Sequence, residues 1–202
     1  MMQNRRLRIA VADDEPDMLM FFREVLPGMG HEVVAQAETG RELIQRCLET
    51  GPDLVITDIM MPDLDGLEAA ATVNRQTQVP VIVVTAHHDA DNLARGAGAA
   101  YVMSYLAKPV KPNDLEAAVR LAMLRFSHFQ TLAQEAADLR QALEDRKQIE
   151  RAKGAVMKRV GVDEEEAFRR LRKLASDQNR KLIDIARQVG KADEVFRQFD
   201  RG

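Results

Sequence analysis

The chain has 202 residues, room for one large domain or two modest ones, and its hydrophobic fraction of 46% with 30% charged residues belongs to a folded globular protein. Aromatics make up only 4% with no Trp, so the core must be aliphatic and Met-rich. No apolar run approaches a membrane span, the opening residues lack a signal peptide's apolar segment, and Cys47 is the sole cysteine; the expectation is a cytoplasmic protein with no membrane partner and no internal disulfide.

The net charge of −3 hides a division. Residues 1–145 hold 13 Lys and Arg against 22 Asp and Glu, whereas residues 146–191 hold 14 against 7. Such asymmetry points to two jobs, the second being contact with a polyanion; a merely solvated basic face is the plain alternative.

Strands and helices alternate over the first half. The apolar run 7–12 ends at Asp13-Asp14-Glu15, and Pro16 opens a helix that carries Leu19, Phe22 and Leu26 on one face. Residues 32–37 read as a strand and 41–50 as a helix, in which Cys47 sits with Leu43, Ile44 and Leu48 as a buried thiol. A strand over 53–58 ends at Asp58 and is followed by a Pro- and Gly-marked loop and a helix over 67–74. The most apolar strand, 80–84, ends at Thr85; a short helix over 89–97 carries Leu93; a fifth strand over 100–106 is closed by Lys108-Pro109. Five repeats with short connections predict an α/β fold, a doubly wound five-stranded parallel sheet.

From Asn113 the pattern turns helical. Leu115, Val119, Ala122, Phe126 and Phe129 step by four and three residues, as do Leu132, Ala136, Leu139 and Leu143, with one stammer between them. The reading is a long coiled-coil helix through which two copies associate, a single helix folding back on the sheet being the alternative. Three short helical patterns follow as a small all-α domain. The first, 147–160, presents Ile149, Ala152, Val156 and Val160 and ends at Gly161. The second is capped by Asp163 with Glu166, and the third starts near Asp177 and stops at Gly190, leaving a tail with Val195, Phe196 and Phe199.

In a parallel sheet, Asp13, Asp14, Asp58, Thr85 and Lys108 all emerge at one edge, where ligands of open α/β sheets bind. Taken alone, Asp58 could equally be a helix cap or a turn former. Together, the three carboxylates repel one another unless a cation sits among them, and hard oxygens in that arrangement suit Mg2+. Lys108 can then hold phosphoryl oxygens, Asp58 can attack phosphorus, and Thr85 can hydrogen-bond the product.

The order Asp-Asp, Asp, Thr and Lys-Pro, each at a strand end, resembles a response-regulator receiver over about 1–125. The resemblance implies the flavodoxin-like strand order, phosphorylation of Asp58 by a sensor histidine kinase, Mg2+ held by Asp14, Asp58 and the Met60 carbonyl with help from Asp13, and a cis peptide before Pro109. It also implies a switch pair of Thr85 and Tyr105. The stretch between Gly98 and Lys108 is about three residues longer than the usual family pattern and holds a second aromatic, so Tyr101 and Tyr105 both stand as the switch residue.

The Ala152-Lys153-Gly154 box, the Ala167-Phe168 to Leu171 and Ala175 spacing and the run 177–186 resemble the ANTAR output domain, a family of RNA-binding transcription antiterminators. Ser176 and Gln178 depart from the commoner residues. Basic residues recur on polar faces: Lys153 and Lys158, then Arg169, Arg170 and Lys173, then Arg180 and Lys181. Such faces attract RNA phosphates. The domains expected are a receiver over 1–125, a coiled-coil linker over 126–146 and an ANTAR domain over 147–202. The expected function is a phosphorylation-controlled antiterminator, not an enzyme, that binds hairpin RNA as a homodimer. A DNA-binding regulator and a phospho-dependent protein-interaction module are the alternatives.

Overall fold

The computed structural model describes residues 5–86 and 98–199, and the chain divides into two compact units, Met1–Gln130 and Thr131–Gly202. In the first, strands β1 (Arg8–Ala12), β2 (Glu32–Ala37), β3 (Leu54–Asp58), β4 (Val81–Thr85) and β5 (Val102–Ala107) form one parallel sheet in the order β2-β1-β3-β4-β5. Helices α1 (Pro16–Gly28), α2 (Gly40–Thr50) and α3 (Gly66–Gln76) connect the strands. All residues of β3 and β4 are buried, which explains why these central strands read as unbroken apolar runs rather than alternating ones. The short helix expected over 89–97 lies outside the described residues.

Alternation along the strands splits the core between the two faces of the sheet. Ile9, Val11, Leu54, Ile56, Ile82 and Val84 pack with Phe22, Leu26, Leu115 and Val119. On the other face Ala10, Val55, Val81 and Val83 pack with Leu43, Cys47, Ala70 and Val73. Cutting one of the fully buried leucines to Ala would cost about 2–5 kcal/mol. Caps fix where the helices start: Thr39 accepts from the Glu42 N–H ahead of α2, and Asp65 accepts from the Glu68 N–H ahead of α3.

Helix α4 (Pro112–Val160) starts in the first unit and ends in the second. The pattern expected as a separate helix over 147–160 is its last part, because Gly154 interrupts nothing and no breaker precedes it. Residues 127–144 of α4 are exposed throughout, including Phe129, Leu132, Leu139 and Leu143. Two further helices complete the second unit, α5 (Glu164–Asp177) and α6 (Leu182–Phe199). Asp163 caps α5 by accepting from the Glu166 N–H at 2.8 Å.

Two expectations need correction. Asp177 closes α5 instead of opening the next helix, which begins at Leu182 after a left-handed Asn179. Gly190 does not stop the third helix either; α6 runs on to Phe199, so Val195, Phe196 and Phe199 are helical. Ala152, Leu171, Ala175, Ile185 and Ala186 form the core of this unit, with Ile149, Val156, Leu182 and Val189 packed around them. Among the described residues, no helix is long and apolar enough to cross a membrane.

Candidate functional site

The carboxyl ends of the strands bring the charged residues together. Asp13 follows β1, is fully buried, and accepts the Glu15 N–H on Oδ1 at 3.0 Å. Asp58 closes β3, and its Oδ1 accepts the N–H groups of Ile59 at 2.6 Å and Met60 at 3.3 Å. Lys108 follows β5; its N–H donates to the Thr85 carbonyl at 2.9 Å, and the Lys108–Pro109 peptide is cis. From there the Lys108 ammonium donates to Asp58 Oδ2 at 2.7 Å, Glu15 Oε1 at 2.7 Å and Asp13 Oδ1 at 3.1 Å.

The charges are strongly interdependent. Burial pushes the Asp13 carboxyl above its ordinary range; the Glu15 N–H and Lys108 pull it back only in part. Burial alone would make Lys108 easier to deprotonate, but its bonds to Asp58, Glu15 and Asp13 outweigh that and hold it well above the usual lysine range. Asp13 Oδ2 forms an ion pair with the ammonium at 3.0 Å, yet it is a buried oxygen with no hydrogen bond among the described residues. Leaving a buried carboxylate oxygen without a hydrogen bond costs free energy.

One oxygen from each of Asp13, Asp14, Glu15 and Asp58 falls within 4.8 Å of the others. Hard carboxylate oxygens, one of them without a hydrogen bond among the described residues, are the donor set that suits Mg2+. Asp14 and Glu15 are exposed, so solvent can fill further positions. The Met60 N–H donates to the Asp58 carboxylate, while the residue as a whole is 61% exposed.

Thr85, at the end of β4, is buried and donates from Oγ1 to the Ala86 carbonyl at 3.2 Å. It pairs with Ala107 across β4 and β5, next to Lys108. Tyr105 pairs with Val83 in the same ladder and packs on the α3 side of the sheet. Its hydroxyl is buried with no hydrogen-bond partner among the described residues, and burial, then the nearby Tyr101, pushes its pKa up. Tyr101 donates from its hydroxyl to the Leu67 carbonyl at 3.4 Å.

Two contributors escaped sequence reading. Glu15 is the third carboxylate on Lys108, and only its adjacency to Asp13-Asp14 hints at it. Gly66 starts α3 directly against the β3 end: a Cβ there would overlap the Asp58 carbonyl oxygen and stand 2.6 Å from Thr57 Oγ1. The Asp65-Gly66 pair ahead of a helical pattern was the available signal.

The seven basic residues expected to contact RNA do not form one set. Lys153 is buried, pairs with Glu150 at 2.8 Å and Glu164 at 2.6 Å, and stands 5.7 Å from the Phe168 ring centroid. Those glutamates raise its proton affinity. Arg169 and Arg170 both pair with Glu166, and Arg180 donates to Gln188 at 2.9 Å. Lys158, Lys173 and Lys181 are exposed and make no ion pair among the described residues.

Comparison with known proteins agrees with this geometry. Residues 9–120 match the response regulator receiver domain, and residues 137–189 match the ANTAR domain. The transcriptional regulatory protein PdtaR of Mycobacterium tuberculosis is 37% identical over 184 residues, which span 90% of this chain and 88% of PdtaR. The DNA-binding response regulator MtrA of Mycolicibacterium smegmatis is 31% identical over 124 residues, 61% of this chain and 54% of MtrA. Among solved structures, a receiver domain protein from Clostridium thermocellum superposes with a TM-score of 0.54 at 31% identity, covering 62% of this chain and 98% of that one. The receiver domain of a diguanylate cyclase from Desulfovibrio desulfuricans gives 0.57 at 25% identity, covering 61% and 98%. The chain therefore belongs to the response regulators, with a receiver domain followed by an ANTAR output domain.

Proposed function

We infer that the protein is a phosphorylation-controlled antiterminator in which Asp58 accepts a phosphoryl group and the helical domain grips hairpin RNA as a dimer. The observation that carries this is the Lys108 ammonium bonded to Asp58, Asp13 and Glu15 at one sheet edge, in a chain whose second part matches an ANTAR domain. A sensor histidine kinase is the donor: an Asp58 oxygen forms the new bond to phosphorus as the bond from phosphorus to the kinase imidazole breaks.

The backbone N–H groups of Ile59 and Met60 orient the Asp58 carboxylate, and Lys108 is within reach of a phosphoryl oxygen once its pairing with Asp58 is given up. Asp13, Asp14, Asp58 and the Met60 carbonyl would hold Mg2+, which when bound neutralises charge shared between carboxylates and phosphoryl oxygens.

Signal transmission falls to Thr85 and Tyr105. The Tyr105 hydroxyl is buried with no hydrogen-bond partner among the described residues, and an unpaired buried hydroxyl costs about 1–3 kcal/mol. An arrangement that releases it is therefore close in energy, and a Thr85 that turns to the phosphoryl group can tip the balance. The exposed Phe129, Leu132, Leu139 and Leu143 of α4 supply an apolar seam for a coiled coil between two copies. Two protomers then present two RNA-binding domains to paired hairpin loops. The test is binding to hairpin RNA and to duplex DNA by wild type and Asp58→Ala, each with and without acetyl phosphate. RNA binding that strengthens with phosphodonor only in wild type is expected; equal affinity for RNA and DNA would sink the assignment.

A further inference from the structure

The ANTAR match ends at residue 189, yet α6 continues to Phe199. A buried carboxylate clamps this extension in place. Asp193 accepts from Arg159 Nε at 3.2 Å and pairs with Arg197 at 2.7 Å, while the Arg159 guanidinium lies 4.4 Å from the Phe196 ring centroid. Burial opposes charge on Asp193, but the two arginines overcome it and keep the carboxyl below its ordinary range. The last turns of α6 are thereby tied to the last turn of α4.

The clamp builds a groove of about 770 Å3 between α4 and α6. Arg151 lines it from α4, and Arg187, Lys191 and Arg197 from α6, against Asp193 and Glu194. Asp193 is already committed to Arg159 and Arg197. Arg187 is shared with Asp145 at 3.0 Å, whereas Arg151 and Lys191 are exposed and make no ion pair among the described residues. The surface of α5 differs: Glu164, Glu165 and Glu166 crowd its first turn, and both Arg169 and Arg170 are bound to Glu166. An incoming phosphate at that turn meets carboxylates and arginines already in use, and Lys173 stands apart from it as an exposed lysine of the same helix.

We propose that the groove between α4 and α6 is a phosphodiester-binding track, with Arg151 and Lys191 as its principal contacts and Arg187 and Arg197 flanking them. This rests on the RNA-binding reading above and moves the phosphate contacts from α5 to the groove between α4 and α6. Phosphates suit the groove because its cations come from two helices and converge on a concavity, where the field is stronger than over an isolated surface charge. The contact should be salt-dependent and nearly indifferent to sequence.

The test uses the full chain with acetyl phosphate and Mg2+, and a labelled synthetic RNA of two tandem hairpins, read by fluorescence anisotropy across a range of KCl. Arg151→Gln with Lys191→Gln should weaken binding about tenfold and flatten the slope of log K against log salt by about 1–2. Arg151→Lys with Lys191→Arg should restore most of the affinity, and Lys173→Gln on α5 should change it less than about twofold. The thermal melt of each variant should match wild type. A double Gln variant that binds like wild type, or a larger loss from Lys173→Gln, overturns the groove and leaves RNA binding standing. Polyglutamate that competes as well as RNA would reduce the groove to a general polyanion surface and overturn it. Wild type that binds no RNA would overturn both readings.

Discussion

Lys108 is the residue on which the acidic edge depends. Its ammonium serves Asp13, Glu15 and Asp58 at once, so Lys108→Ala leaves neighbouring carboxylates facing one another. The loss in metal-free buffer should be about 1–3 kcal/mol, less than for a fully dry ion pair because Glu15 and part of the lysine reach solvent. Mg2+ should recover more of the melting temperature in this variant than in wild type; a thermal melt with EDTA and with excess Mg2+ checks it, and equal Mg2+ shifts would count against the shared-charge account. Cys47 makes a second prediction at this scale. Burial lifts its thiol from 9.0 to about 12, so the folded chain keeps a proton that the unfolded chain releases. Its contribution to stability is intact below pH 9 and drains away as pH rises from there towards 12. At pH 8 the folded thiol should react with a disulfide reagent about 10³-fold more slowly than in the unfolded chain, and rapid labelling without denaturant would refute this. Asp58 and Lys108 were legible because each interrupts an apolar run at a strand end. Glu15 was not: an exposed acid beside two others carries no distinguishing mark until its partner is seen. Lys153 misled for the opposite reason, since a basic residue on a helix says nothing of whether glutamates from two segments enclose it.

At the level of elements, α3 and α6 hold the consequences. Gly66 lets α3 begin against the Asp58 carbonyl, and its own N–H donates to Ile59 O at 2.9 Å. Gly66→Ala cannot be absorbed by a flexible side chain, because the obstacle is backbone. It should cost about 3 kcal/mol and lower the rate of Asp58 phosphorylation by displacing the loop, measured by urea unfolding and by acetyl phosphate labelling. The five strands could be read from their apolar runs and terminal acids, but the end of α6 could not. Gly190 costs a helix only about 1 kcal/mol relative to Ala, and the clamp at Asp193, formed with Arg159 at the end of α4 and 34 residues earlier in the chain, is invisible to a local stop rule. Asp193→Ala should therefore loosen the last turns of α6, with amide exchange there rising at least tenfold while exchange in β3 and β4 stays unchanged. Uniform exchange across both regions would mean that the clamp is unimportant or that the whole chain is destabilised.

For the whole molecule, the decisive element is the bare middle of α4. Leu132 is 65% exposed and Leu139 64%, on a stretch, 127–144, whose residues are all exposed. Leu139→Glu should shift sedimentation toward the monomer and weaken binding to two-hairpin RNA more than to one-hairpin RNA, because only the former rewards two linked domains; an unchanged sedimentation profile would remove the coil from the account. The exposed apolar positions of α4 were legible as a heptad pattern, but a heptad cannot reveal whether its partner is the same chain or another. In the proposed dimer, a seam satisfied by a second copy would also tie output to the square of how much regulator is present. Cells that make little of it would stay deaf to the kinase, and those that make much would answer steeply, so expression level becomes a second dial on the same signal.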